Sequence, residues 1–191
     1  RGAGGHPRVG VVLQFAGSSS LTDQARPITA APVHTETRPL TEVGWCADFC
    51  ETRAMTVGRS EDVERFAERY AVSGSAALVA AEIEALGSDY QGNGYTTIEQ
   101  AIVLGDLLQL SEGQVLLDVG AGCGWPGLFL AERHGCAVVA LDPVPGGVAT
   151  AHDRAHRDGI AHRAWAIQGS AEELPIGTGS VDAVVHTDLM C

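Results

Sequence analysis

The chain contains no lysine: all 12 of its basic residues are arginine. That excludes a lysine Schiff base and the lysine of a phosphate-binding P-loop. No apolar run approaches the roughly 18 residues a bilayer-crossing helix needs, so no membrane partner is expected. Paired CxxC spacings are also missing, and the five cysteines (46, 50, 123, 136 and 191) are odd in number. This argues against a secreted disulfide framework and for reduced thiols in the cytoplasm. Positive charge is scarce, with 12 Lys+Arg against 24 Asp+Glu and a net charge of -12. So acidic a surface gives phosphate backbones no electrostatic footprint, and nucleic acid is not an expected partner. Only 19% of the 191 residues are charged and 45% are hydrophobic, a composition that builds a buried core.

The scarce positive charge is unevenly placed. Residues 1–60 carry six arginines and five acids, whereas 61–191 carry six arginines and nineteen acids. The first stretch lacks periodicity and is broken by Gly2-Ala-Gly-Gly5, Ser18-Ser-Ser20 and prolines 7, 27, 32 and 39. Residues 1–54 are therefore expected to be a disordered leader or a misassigned extension. The first methionine is Met55, just before order begins, which makes it the expected natural start. Val9–Ala16 has the faint outline of a signal-peptide core, but Gln14 interrupts it and secretion is not expected.

Residues 55–112 read as an N-terminal helical segment. Ser60 is placed to N-cap a helix in which Val63, Phe66, Ala67, Tyr70 and Ala71 recur at helical spacing. A second helix is expected over Ala76–Leu86, with Val79, Ile83 and Leu86 inward and Gly87 as its stop. After the glycine-rich loop Ser88–Tyr95, Thr96-Thr-Ile-Glu99 reads as a capping box opening a third helix. Ile98, Ala101, Ile102, Leu104 and Leu108 form its stripe.

Strands and helices then alternate through 113–191. The expected strands are Gln114–Val119, Ala137–Leu141, Ala164–Gln168 and Val181–His186. The expected helices are Pro126–Arg133, with proline in its first turn, and Val148–Asp158, closed by Gly159. Short apolar strands alternating with helices predict an α/β fold: a Rossmann-like, doubly wound parallel sheet, here its first four strands, covered on both faces.

Chemistry concentrates in Asp118-Val-Gly120-Ala-Gly122-Cys-Gly124-Trp-Pro-Gly127. Glycines between a strand and a helix let backbone approach a ligand, and the helix N-terminus offers free N–H groups. Asp142 follows Gly122 by twenty residues, directly after the second strand, where a carboxylate accepts from ribose hydroxyls. Together they point to a nucleoside-type ligand. Gly122–Gly127 also satisfies GxGxxG, which keeps an NAD(P)-dependent oxidoreductase open as an alternative. Against it, Asp118 at the strand end would repel a pyrophosphate but suits a ligand carrying an amine and a sulfonium.

The segment Val115–Gly124 resembles the first motif of the class I S-adenosylmethionine-dependent methyltransferases, D-x-G-x-G-x-G after an apolar strand. Val138–Asp142 is similar to their second motif, and Gly169–Val185 to their G-D-A-x-x-L-P-F segment. The resemblance spans roughly Phe66 to Cys191. It implies that Gly120, Ala121 and Gly122 pass under the methionine part of S-adenosylmethionine, with Asp118 near its amine and Asp142 on its ribose. Ser170 and Ala171 would flank the adenine, and His186 would end the fourth strand near the cofactor. Ser170 stands where the family usually has Asp, and a hydroxyl bonds more weakly than a carboxylate. Gly94-Tyr-Thr-Thr97 resembles the substrate-side lead-in of a bacterial small-molecule subgroup, with Tyr95 a candidate for contacting substrate. The implied function is methyl transfer to a small-molecule acceptor, with His186 as a candidate base and no metal. The resemblance also implies a longer sheet, so a C-terminally truncated domain, inactive alone or serving as a non-catalytic cofactor-binding fragment, is a further expectation.

The remaining features take structural readings. His152 and His156 lie at i, i+4 without a third ligand in register, as on a solvated helix face flanked by arginine. Cys123 fills a turn, Trp125 and Trp165 are core residues, and Cys46 and Cys50 lie in the leader.

Overall fold

The computed structural model of the chain describes residues 60–92 and 94–188, except the side chains of Ser60 and Asp62. The expectations for the 1–54 leader, the Met55 start, Cys46, Cys50 and Cys191 lie outside the described residues. Three helices come first: α1 (Ser60–Ser73), α2 (Ala76–Leu86) and α3 (Ile98–Leu107). Then follow β1 (Val115–Val119), α4 (Gly127–His134), β2 (Ala137–Asp142), α5 (Pro145–Arg157), β3 (Ala164–Gln168) and β4 (Ala183–Val185). Every element read from the sequence is present, and boundary shifts have local causes. Ser60 is the first residue of α1, not its cap. The capping box lies one residue later than expected: Thr97 accepts from the Gln100 N–H, and the Gln100 side chain accepts from the Thr97 N–H. Pro126 sits at the N-cap of α4, and α5 begins at Pro145, whose fixed φ suits a first turn.

The sheet is parallel throughout, in the order β3-β2-β1-β4. β1 and β4 are therefore neighbours although two strands separate them in sequence. This reversal of strand order creates a crevice at the carboxyl ends, where such sheets bind ligands. The chain steps from β1 to β2 to β3 in one direction. Right-handed crossovers put α4 and α5 on the same face of the sheet. That face carries the larger core, in which Leu116, Val138 and Val185 meet Leu104 of α3, Leu128 of α4 and Ala151 of α5. The opposite face carries Leu117, Val139 and Leu141, packed by Ile176 and Val181 from the β3–β4 connection. No described helix contributes to it, so the helices lie on one face rather than two. α3 packs within the sheet's core, while α1 and α2 stand apart from it.

Two individual expectations are corrected by position. Trp165 sits on the edge strand β3 and is 40% exposed, since no further strand covers it among the described residues. Ile83, expected inward, is 51% exposed, and α2 buries none of its residues.

Candidate functional site

The crevice is built from five pieces of chain. The glycine loop after β1 supplies Gly120, Ala121, Gly122, Cys123 and Trp125, and the end of β2 supplies Asp142, Pro143 and Val144. Past β4 come Thr187 and Asp188. The 88–97 loop adds Gly92 and Gly94, and α1 closes the top with Phe66 and Tyr70.

Asp142 anchors the arrangement. Its Oδ2 accepts from the Gly122 N–H and its Oδ1 from the Val144 N–H, both at 2.8 Å. Tyr70 of α1 lines the crevice beside the same carboxylate. Burial raises the Asp142 pKa, while the two backbone donors and Tyr70 oppose that shift. Burial raises the Tyr70 pKa too, and the adjacent Asp142 carboxylate adds to it.

Asp118 lies beneath the glycine loop, off the crevice wall and 1% exposed. Its Oδ2 accepts from the Gly127 N–H at 2.8 Å, tying the first turn of α4 to β1. A Cβ at position 127 would stand 2.6 Å from that oxygen, so only glycine allows the approach. The other oxygen, Oδ1, is buried without a partner. Burial is the main reason its pKa is pushed up to about 8; the Gly127 N–H opposes this and nearby Asp142 adds to it.

Asp188 clasps the opposite wall. Its Oδ2 accepts from the Tyr95 N–H (2.9 Å), the Thr96 N–H (3.2 Å) and the Thr96 hydroxyl (2.9 Å). The Thr96 carbonyl in turn accepts from the Trp125 indole N–H at 3.0 Å, joining the 92–97 loop to the glycine loop. Trp125 is core, as expected, with its ring between Tyr90 and Phe129.

The structure thus gathers Gly120, Ala121, Gly122 and Asp142 on one wall. Ser170, Ala171, Tyr95 and His186 stand off it. The Ser170 hydroxyl oxygen accepts from the Glu172 N–H within its own turn, and Ala171 is exposed. Tyr95 is 72% exposed, its backbone held and its ring free. His186 is half-buried, with Nδ1 buried and unpartnered. Cys123 is buried in the turn, and that burial pushes its thiol up to about 11. His152 and His156 are exposed neighbours, and no cluster suited to a metal occurs among the described residues. Arg154 on that helix is not solvated, however: it pairs with Asp89 and Asp158 and stacks on Tyr90.

Sequence reading missed Tyr70, Thr187 and Asp188 as site residues. Tyr70 was visible only as one apolar-stripe residue among several. The signal for Thr187 and Asp188 was their place just past a strand end at the crevice.

Residues 116–191 match the family described as "Methyltransferase domain". A curated relative is the erythromycin 3''-O-methyltransferase of Saccharopolyspora erythraea, 37% identical over 91 residues; the match covers 47% of this chain and 30% of that protein. Similar solved structures include an S-adenosylmethionine-dependent methyltransferase from Thiobacillus denitrificans in complex with S-adenosyl-L-homocysteine. It is 29% identical with a TM-score of 0.43, over 47% of this chain and 36% of that one. Another is an RNA methyltransferase from Salinibacter ruber, also with S-adenosyl-L-homocysteine, at 26% identity and a TM-score of 0.45, over 48% of this chain and 58% of that one. The chain spans about a third of the length of the curated relative and less than two thirds of either structure.

Proposed function

We propose that this chain, whose residues 116–191 match a methyltransferase-domain family, binds S-adenosylmethionine and serves methyl transfer to a small-molecule acceptor in the cytoplasm. The observation that carries the reading is Asp142 at the end of β2, tied to the Gly122 N–H of the glycine loop on the same wall of the crevice. A carboxylate so placed suits the two hydroxyls of a ribose. The donor set fits the cofactor in a second respect. Asp118 Oδ1 is a buried acceptor without a donor, and the cofactor's ammonium is a donor of the right charge. An acidic chain and the small-molecule substrate named for the erythromycin methyltransferase both favour a small acceptor over a nucleic acid.

When bound, S-adenosylmethionine supplies a sulfonium methyl group that an acceptor nucleophile takes by in-line displacement. The protein's part is then mostly alignment, an effect able to supply about 7–11 kcal/mol. Asp142 holds the ribose and the backbone of Gly120–Gly122 lies under the methionine part, while Asp118, beneath that loop, meets the amine only once the loop opens towards it. Ser170, Ala171 and His186 belong to this reading only once the β3–β4 connection and the strand end turn towards the crevice. Asp188 sets the wall that faces the acceptor by holding the 92–97 loop.

Titration calorimetry with S-adenosyl-L-homocysteine tests the reading. Asp142→Ala removes charge-assisted hydrogen bonds and should weaken binding roughly ten- to hundredfold, about 1.5–3 kcal/mol. Equal affinity in the two proteins would end the assignment, and tight binding of NADH in place of the nucleoside thioether would redirect it.

A further inference from the structure

We propose that Arg154 of α5 is a positioning residue for the crevice. It straps the start of the 88–97 loop to the helix that follows Asp142, and so fixes one crevice wall against the other. The inference rests on reading Asp142 as the ribose acceptor and adds a residue outside the crevice on which binding depends.

The guanidinium is engaged along its edge and on its face. Nη1 donates to the Asp89 carbonyl at 3.0 Å and Nη2 to Asp89 Oδ1 at 2.7 Å, while Nε donates to Asp158 Oδ2 at 2.8 Å. Its Cζ lies 3.9 Å from the centroid of the Tyr90 ring. A planar fork makes these contacts together, whereas a lysine ammonium is a single point of charge. Tyr90 passes the constraint inward. It is buried, and its ring centroid stands 5.0 Å from that of Trp125. Trp125 lines the crevice, and its indole N–H donates to the Thr96 carbonyl at 3.0 Å. Arg154 thus fixes Tyr90, Tyr90 packs on Trp125, and Trp125 holds the far end of the same loop.

The loop has the backbone of a segment held from both ends. Gln91, next to Tyr90, has a φ of 59°, and Asp188, which clasps Tyr95 and Thr96, has a φ of 56°. A residue with a side chain is uncommon at positive φ and stays there where its surroundings fix it. Between these points the loop presents Gly92 and Gly94 to the crevice. The other end of α5 meets the opposite wall. The N–H of Val144, the N-cap of α5, donates to Asp142 Oδ1 at 2.8 Å. One helix therefore touches the ribose acceptor at its N-cap and the start of the facing loop at its third turn. A wall fixed before binding spares the ligand the entropy of ordering it.

The test is S-adenosyl-L-homocysteine binding to the whole chain, followed by calorimetry, for wild type, Arg154→Lys, Asp158→Asn, Asp89→Ala and Asp142→Ala. Arg154→Lys keeps the charge and loses the fork, and it should bind about three- to tenfold more weakly. Asp158→Asn weakens only the arm that stays beside α5 and leaves both Asp89 contacts, so its affinity should change by less than about twofold. Hydrogen exchange supplies a second measurement: the Tyr90, Tyr95 and Thr96 amides should lose protection in Arg154→Lys while those of β1 keep theirs. Equal affinity in Arg154→Lys and wild type would overturn the proposal. An equal loss in Asp158→Asn overturns it as well, since Arg154 would then be a brace for α5 alone. If Arg154→Lys fails to fold, Asp89→Ala decides: a loss of about two- to fivefold supports the strap, and unchanged affinity overturns it. Absence of binding by wild type, or undiminished binding by Asp142→Ala, instead removes the ribose reading itself, and this proposal with it.

Discussion

Leu116 in β1 and Ile83 in α2 are both apolar residues in elements that periodicity located, yet the first is 0% exposed and the second 51%. The difference lies in what surrounds each element. β1 sits between β2 and β4, and its larger-core face is filled from α3 and α4, so strand pairing fixes every neighbour Leu116 needs. α2 packs on α1, α1 packs on α5, and neither helix joins the sheet's core. Periodicity reports that a helix has an apolar stripe. It does not report whether a partner exists to bury it. The sheet and α3 therefore make the stable body, and α1–α2 form a lightly attached cover over the crevice.

Leu116→Ala should break the body. A fully buried leucine cut to alanine loses its transfer free energy and leaves a cavity, a cost of about 2–5 kcal/mol. Denaturant unfolding measures it, and a loss below about 1 kcal/mol would show that the core is not centred on β1.

Asp118→Asn should act in the opposite direction on stability and the same direction on binding. The folded protein holds the Asp118 proton up to a pKa of about 8, against an ordinary value of 3.8. The proton's contribution to stability is thus complete below about pH 4 and is lost as pH rises towards 8. Asparagine imitates the protonated acid at every pH. The variant should match wild type near pH 4 and exceed it by about 1–3 kcal/mol at pH 8. Thermal unfolding across this range gives the comparison, and a pH-independent difference would dissociate Asp118 from the effect. S-adenosyl-L-homocysteine binding by the variant should weaken, because the amine's carboxylate is gone.

Asp188→Ala tests a smaller joint between the regions. It removes three hydrogen bonds from one oxygen and frees the 92–97 loop. Since Asp188 is only half-buried, the cost should be about 1–2 kcal/mol. Loss of exchange protection at the Tyr95 and Thr96 amides, with the β1 and β2 amides unchanged, is the expected signature. Global loss of protection would place Asp188 in the body instead.

The same contrast explains how much of the molecule was legible in its sequence. The sheet's strands were readable because each is a short apolar run between turn residues, and β3 was located to the residue. Asp142 and the glycine loop were readable because their chemistry depends on spacing along the chain. Tyr70, Thr187 and Asp188 were not, because they reach the site from α1 and from beyond β4, and only the folded order β2-β1-β4 brings them together. The capping box was displaced by one residue for a similar reason. Thr96 has a long-range partner in Asp188, 92 residues away, which leaves the cap to Thr97 and Gln100.

The smallest expected effect is at the residue that began the comparison. Ile83 lies in the last turns of α2, whose neighbour is α1, and half of its surface meets solvent. Burial is worth roughly 25 cal/mol per Å² of apolar surface, so a side chain that stays half-exposed has little to lose. Alanine also forms helix more readily than a β-branched residue, which offsets part of that loss. Ile83→Ala should therefore change global stability by no more than about 0.5 kcal/mol in denaturant unfolding. A loss approaching that of Leu116→Ala would mean that this face is covered in the working protein, and would move α2 from the cover into the body of the fold.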